Sequence, residues 1–147
     1  MKNVSIAVTV PYAPSDVWKV LTDKGLISEW LMATNFEPVV GREFRFTGTP
    51  NRFWRGYVEC KIFKIVPQSL LQYSWQSVST QTPTMVTHAI EAAQDGTKIT
   101  ATHAGFDATH GIFSGLLMRL MIRHGMKVEF QNKLRATLKK HFTRIHG

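Results

Sequence analysis

The last third of the chain carries apolar residues at the spacing of an amphipathic helix. They recur at steps of four, four, four, four and three along the sequence: Met126, Phe130, Leu134, Leu138, Phe142 and Ile145. Residues three and four apart lie on one face of an α-helix, so this pattern predicts one apolar stripe with polar residues opposite. Burying six such side chains contributes on the order of 10 kcal/mol, and the helix therefore needs a partner surface.

A helix that covered this whole region would be longer than the domain. From residue 111 to residue 146 it would extend about 54 Å, whereas a domain of 147 residues is roughly 40 Å across. We therefore expect a break near His124 and Gly125. The stretch from Ile112 to Ile122 would then form a separate apolar helix, as buried core, a lid, a membrane-touching helix or a dimer face.

Alternating apolar and polar residues predict an antiparallel sheet that can supply the partner surface. The first strand runs to Val10, and two short helices follow, one starting at Pro14 and one capped by Asp23. Five more strands are predicted around Phe44 and Phe46 and at 53–66, 71–75, 85–93 and 97–103. Six strands, two short helices after the first and a long C-terminal helix indicate a single α+β domain over residues 1–147.

The dipeptide Asp95-Gly96 is the strongest short hairpin signal in the chain, because a type I′ turn needs positive φ at both central residues. A two-residue turn there predicts that His88 lies directly opposite His103 on the apolar face of the hairpin. Neutral imidazoles in this position could hydrogen-bond a ligand, move a proton or bind a metal. They could also be ordinary buried histidines, satisfied by each other, by Tyr73 or by water. A metal site would need a third ligand that the pattern does not provide.

The charge of the chain is concentrated in its C-terminal segment. The formal net charge is +8, and residues 119–147 contain eight Lys or Arg but one acid, Glu129. We interpret this as a solvated helix face, with an acidic protein partner as the alternative, since no nucleic-acid-binding motif accompanies the charge. Only Cys60 is present, which excludes an internal disulfide. No signal peptide or membrane-spanning segment is evident, so we expect a cytoplasmic protein.

Short sequence words of one family pattern occur across nearly the whole chain, at 8–11, 13–18, 21–23, 30–31, 41–46, 56–59, 71–75, 96–100 and 102–106. These words resemble the SRPBCC (START-like, helix-grip) superfamily. Within it, they are most similar to the family related to the activator of the Hsp90 chaperone's ATPase. The resemblance implies a curved antiparallel sheet that grips the long C-terminal helix, with a cavity between them. His88 departs from the family pattern, which commonly has an apolar residue there.

Members of this superfamily include lipid carriers, hormone binders, polyketide cyclases and chaperone co-factors, so the resemblance leaves the function open. We expect binding of a hydrophobic or amphipathic small molecule, lipid-like or aromatic, in the sheet–helix cavity. The alternatives are a protein-interaction module of the chaperone-activator type and a polyketide-cyclase-like enzyme. An enzyme with a recognisable polar catalytic motif is not favoured, and no catalytic residue, cofactor or metal is predicted.

The candidate cavity residues are mostly aromatic, which suits a pocket of roughly 300–1,000 Å³ with few polar anchors. They are Trp30, Phe44, Phe46, Tyr73, Trp75, His88, His103, Phe113, Leu117, Met121, Phe130 and Leu134. Four arginines near the second and third strands could hold an acidic head group at the mouth of this pocket or could be solvated surface. These are Arg42, Arg45, Arg52 and Arg55.

Overall fold

The computed structural model describes residues 3–52, 55–76, 83–105, 120 and 123–145. Within these residues, seven antiparallel strands form one curled sheet in the order β1-β7-β6-β5-β4-β3-β2. The strands are β1 Val4–Val10, β2 Ala33–Thr34, β3 Glu43–Thr47, β4 Tyr57–Val66, β5 Leu70–Trp75, β6 Thr84–Ala93 and β7 Gly96–Ala104. The helices are α1 Pro14–Thr22, α2 Lys24–Trp30 and a C-terminal helix over residues 123–141 that ends in α3 Arg135–His141.

This architecture confirms the predicted α+β helix-grip fold and corrects the strand count from six to seven. The additional strand, β2, has only two residues, which pair with the other edge of β3. Two residues are too few to show alternation, so no sequence pattern marks this strand. The predicted cap of α2 is confirmed, because the Asp23 carboxylate accepts a hydrogen bond from the Leu26 backbone N–H at 3.0 Å.

The β6–β7 hairpin has a different register from the predicted one. Ala93 pairs with Gly96, so the turn lies at Gln94 and Asp95, and His88 faces Ala101 instead of His103. The reason for this register is the close approach of the neighbouring strand β1 to Gly96. A Cβ on Gly96 would overlap the carbonyl oxygen of Val10 on β1. The glycine, with φ +153°, therefore permits the close approach of β1 and does not serve the turn. The shift of two residues leaves His88 and His103 on one face.

The apolar stripe of the C-terminal helix packs against the sheet over most of its length. Leu134 and Leu138 are fully buried, and Met126 and Phe142 are partly buried against the same cluster. Ile145 was expected to continue the stripe, but it is 44% exposed because the helix ends at His141 and Phe142 is extended. The side chain of Phe130 and the predicted helix over residues 112–122, apart from the helical and exposed Leu120, lie outside the described residues.

His124 and Gly125 are themselves helical, and residues 121 and 122, directly before this helix, lie outside the described residues, so the break expected near this position stays a prediction. Within the described helix, one segment departs from α-helical geometry, the π-helical Glu129–Leu134. Four steps of four residues advance about 160° around a regular α-helix, which would turn the stripe away from the sheet. A π-helical turn is wider and takes up one extra residue, so it returns the stripe to the sheet.

The core consists of two clusters of buried apolar side chains. One joins β1, β7, α1 and the C-terminal helix around Val10, Val17 and Leu138. The other lies on β3, β4 and β5 around Phe44, Ile62 and Tyr73. Trp30, at the end of α2, belongs to the first cluster and reaches the region between the two. Among the described residues, no helix has the length and apolar character needed to cross a membrane.

Candidate functional site

A cavity of about 200 Å³ lies between the sheet, the end of α2 and the C-terminal helix. Its wall combines residues from the two core clusters, so the cavity occupies the gap that they leave between them. The described wall residues are apolar or aromatic, together with two histidines and a glycine. They are Trp30, Leu31, Met32, Tyr73, Trp75, Val86, His88, Ala101, His103, Gly125 and Met126.

The period of the strands places the polar groups of the cavity on one face. Tyr73 on β5, His88 on β6 and His103 on β7 all lie on the concave side of the sheet, where side chains two residues apart point the same way. The opposite wall comes from Trp30, whose Nε1–H donates to the Val20 carbonyl oxygen at 2.9 Å. This bond fixes the indole, which makes an edge contact with the His88 ring at 6.3 Å between centroids.

Tyr73 and His88 form a buried polar pair. The phenol oxygen of Tyr73 lies 2.9 Å from Nε2 of His88, and the two ring centroids are 5.6 Å apart. Burial disfavours the charged imidazolium, with a smaller contribution from nearby His103, and lowers the pKa of His88 to about 4. Burial likewise raises the pKa of Tyr73 well above its ordinary value. Both groups are therefore neutral at physiological pH.

His103 is held by a second hydrogen-bond chain. The Thr84 hydroxyl donates to the Trp75 carbonyl oxygen at 3.2 Å, and its oxygen lies 2.5 Å from Nε2 of His103. Because the hydroxyl hydrogen is directed at Trp75, the Thr84 oxygen accepts from Nε2–H of His103. The Trp75 ring contacts the His103 ring edge-on, with 5.6 Å between the two ring centroids. Burial lowers the pKa of His103 to about 4, so this imidazole is also neutral.

The structure brings five of the predicted residues to the cavity wall: Trp30, Tyr73, Trp75, His88 and His103. Three others are packed in the core away from this wall: Phe44, Phe46 and Leu134. The strand period places Phe44 and Phe46 on the correct face, but the ring of Phe36 packs on Phe44 at 5.1 Å and closes that end of the sheet. Phe113, Leu117, Met121 and the side chain of Phe130 lie outside the described residues.

Six wall residues were missing from the sequence-based set: Leu31, Met32, Val86, Ala101, Gly125 and Met126. Val86 and Ala101 share the strand faces of the two histidines, so the same alternation could have found them. Met126 was recognised only as the start of the helix stripe. Gly125 has no side chain and lies next to that stripe, so it could have indicated open space at the surface of the helix. Nothing in the sequence marks Leu31 and Met32, which follow α2.

The arginine cluster does not surround this cavity. Arg45 and Arg55 stand on the outer side of the sheet, where their guanidinium carbons lie over the Tyr57 ring at 4.4 and 4.1 Å from its centroid. They also approach the Glu59 carboxylate at 4.0 and 3.7 Å. Arg45 alternates with the buried Phe44 and Phe46, so it must face outward. Arg42 and Arg52 are exposed. The idea of an arginine-lined mouth is therefore wrong.

The sheet, the helix packed against it and the cavity between them define a helix-grip domain. The family model for the Activator of Hsp90 ATPase homolog 1-like protein matches residues 11–139. The chain therefore belongs to the Activator of Hsp90 ATPase homolog 1-like protein family. No curated protein matches this chain in sequence.

Solved structures from several bacteria share the fold. Protein MLL2253 from Mesorhizobium loti is 23% identical with a TM-score of 0.80, and the match covers 96% of this chain and 99% of that one. BH1534 from Bacillus halodurans is 16% identical with a TM-score of 0.75, covering 93% and 96%. DynU16, from the dynemicin biosynthetic locus, is 17% identical with a TM-score of 0.76, covering 95% and 48%. Identities this low support the fold alone.

Proposed function

We propose that this domain binds a small, uncharged and largely apolar molecule in the cavity between the sheet and the C-terminal helix. The observation that carries the proposal is a cavity of about 200 Å³ beside two buried imidazoles, with no charged side chain among its described wall residues. An apolar cavity of about 150 Å³ in another protein holds benzene, so the space here suits a ligand of comparable or slightly larger size.

The volume also narrows the ligand class. The sequence-based expectation was a pocket of roughly 300–1,000 Å³, the usual range for drug-sized ligands. The observed cavity is smaller because Phe36, Phe44 and Phe46 fill the β3 end of the concave face. This size favours a compound of one or two rings, or a short chain, over a long acyl lipid.

The Gly125→Phe variant tests this function, since a side chain grown from the cavity wall competes with the ligand for space. A Cβ at Gly125 would meet none of the described atoms within 4 Å, so the substitution is expected to leave the fold intact. We expect it to weaken binding of toluene by about tenfold or more. Binding is measured by titration with amide chemical shifts as the readout.

The matched control is Ala136→Phe, which adds the same ring to an exposed position of the same helix. It should bind toluene as the unsubstituted protein does. Absence of any toluene binding to the unsubstituted protein, or equal binding by the two variants, would contradict the proposed function.

A second candidate is a protein-interaction module for an acidic partner, which the family match and the basic helix support. Arg123, Lys127 and Lys139 are exposed on the C-terminal helix. At the C-terminal end of the same helix, two basic residues contact an acid. The Glu29 carboxylate accepts a hydrogen bond from Nε2 of His141 at 2.7 Å and lies 3.4 Å from Nζ of Lys140. The exposed cations beyond this contact suit an acidic surface.

The family description suggests a direct assay of this second function, the ATPase rate of an Hsp90 chaperone with and without this protein. An interaction module should raise the rate, and the double variant Lys127→Glu, Lys139→Glu should abolish the effect. Lys98→Glu is the control, because Lys98 lies on β7 and not on the helix. An unchanged ATPase rate, or one raised equally by the double variant, would exclude this function.

A further inference from the structure

We infer that the cavity selects an uncharged aromatic molecule of one or two rings that carries a hydroxyl group, with the Tyr73–His88 pair as its polar anchor. This inference rests on the proposed small-molecule binding and specifies the chemical class of the ligand. Three features of the described cavity support it: the placement of charge, the ring character of the wall and the hydrogen-bonding capacity of Tyr73.

The distribution of charge excludes a carboxylate ligand. The cationic Arg45 and Arg55 lie on the outer face of the sheet, where Glu59 approaches both. Among the described wall residues, only the imidazoles of His88 and His103 are basic groups, and burial keeps both neutral. A carboxylate in this cavity would lose its hydration without gaining a cationic partner among the described wall residues, and that is strongly unfavourable.

The wall residues that the structure describes include five with aromatic rings: Trp30, Tyr73, Trp75, His88 and His103. Two contacts are close to perpendicular, with interplanar angles of 87° for Trp30 and His88 and 71° for Trp75 and His103. Perpendicular neighbours offer both a ring edge and a ring face, and these suit the edge and face of a flat aromatic ligand. An alkyl chain of equal size would not use this geometry.

The Tyr73–His88 pair can hydrogen-bond a ligand hydroxyl in either tautomer of the imidazole. If the Tyr73 hydroxyl donates to Nε2, its oxygen can still accept; if Nε2–H donates to that oxygen, the hydroxyl can still donate. A ligand hydroxyl both donates and accepts, so it matches both arrangements. A carbonyl group only accepts, and it matches only the second. The hydroxyl is therefore the better complement of this pair.

Three probes with the same methyl-substituted ring test the inference: toluene, p-cresol and 4-methylbenzoate. In a purely apolar cavity, burial of the hydroxyl would carry a penalty and toluene would bind more tightly than p-cresol. With the Tyr73 anchor, we expect p-cresol to bind the unsubstituted protein about tenfold more tightly than toluene. We expect 4-methylbenzoate to bind at least about a hundredfold more weakly than p-cresol.

The Tyr73→Phe variant should lose the preference for the hydroxylated ring, so that p-cresol binds it no more tightly than toluene does. Detectable binding of toluene reports that the cavity of the variant is still present. Tyr57→Phe is the matched control, since Tyr57 contacts Arg45 and Arg55 on the outer face. It should leave both affinities unchanged.

The outcomes separate this inference from the proposed function. If the unsubstituted protein binds toluene as tightly as p-cresol, or binds 4-methylbenzoate equally well, the inference is overturned and small-molecule binding stands. If Tyr73→Phe keeps the full preference for p-cresol, the assignment of the anchor is overturned. If the protein binds neither toluene nor p-cresol, the proposed function fails as well.

Discussion

Acidification from pH 6.5 to pH 4 is expected to lower the free energy of unfolding by about 3 kcal/mol for each of His88 and His103. Burial lowers both pKa values to about 4 from the ordinary value of 6.5. The unfolded chain therefore binds protons first as the pH falls, and the equilibrium moves toward it. The contribution of the two neutral histidines to the free energy of unfolding is complete above pH 6.5. It is lost progressively as the pH falls to about 4, their pKa in the folded protein. Carboxylates also titrate near the lower end of this window, around pH 4, so histidine variants are needed to isolate the contribution of the two imidazoles.

Urea unfolding across the window from pH 6.5 to pH 4 measures this effect. His88→Gln and His103→Gln each remove one titrating imidazole, so each should reduce the loss of stability by roughly half. His124→Gln is the control, because it replaces an exposed histidine of the C-terminal helix. If both cavity variants kept the full pH dependence, the two buried imidazoles would not be its source.

The Gly96→Ala variant is expected to lose about 4 kcal/mol of folding stability, from backbone strain and steric overlap together. Gly96 has φ +153°, and an added Cβ would overlap the Val10 carbonyl oxygen and lie 2.9 Å from Pro11 Cα. Both obstacles are backbone atoms, which cannot move aside as the end of a side chain can. Relief would require β1 and β7 to separate where Val10 pairs with Thr97. Urea unfolding measures the loss.

Gly41→Ala separates the two causes of this loss. Gly41 also has positive φ, +89°, but a Cβ there would meet none of the described atoms within 4 Å. The Gly41→Ala variant should therefore lose only the part of the folding stability that comes from backbone strain, about 1 kcal/mol. Equal losses in the two variants would show that steric overlap with β1 is not what requires a glycine at position 96.

Most secondary structure of this protein follows from its local pattern. Pro14 and the Asp23 cap predict the two short helices correctly, because first-turn geometry and capping depend on neighbouring residues. Alternation predicts the buried faces of β1, β3 and β4, and the stripe around Leu134 and Leu138 predicts the buried face of the helix. The two-residue β2 and the π-helical segment escaped prediction, since both depend on pairing and packing with distant residues.

The candidate site was only partly predictable. Strand alternation identified the side of the sheet on which Tyr73, Trp75, His88 and His103 lie, and they do line the cavity. The same alternation placed Phe44 and Phe46 there, although Phe36 covers Phe44 and fills that end. A strand pattern identifies a face but not which part of that face is left uncovered by the rest of the chain.

The sequence by itself determined the α+β class, the succession of strands and helices, the inward faces and the neutral, aromatic character of the cavity side. These properties depend on the local spacing of apolar residues and on residue type. Only the tertiary structure decided the hairpin register and the location and size of the cavity. Each depends on contacts between residues far apart in sequence, such as Gly96 with Val10 and Phe36 with Phe44, which no local pattern encodes.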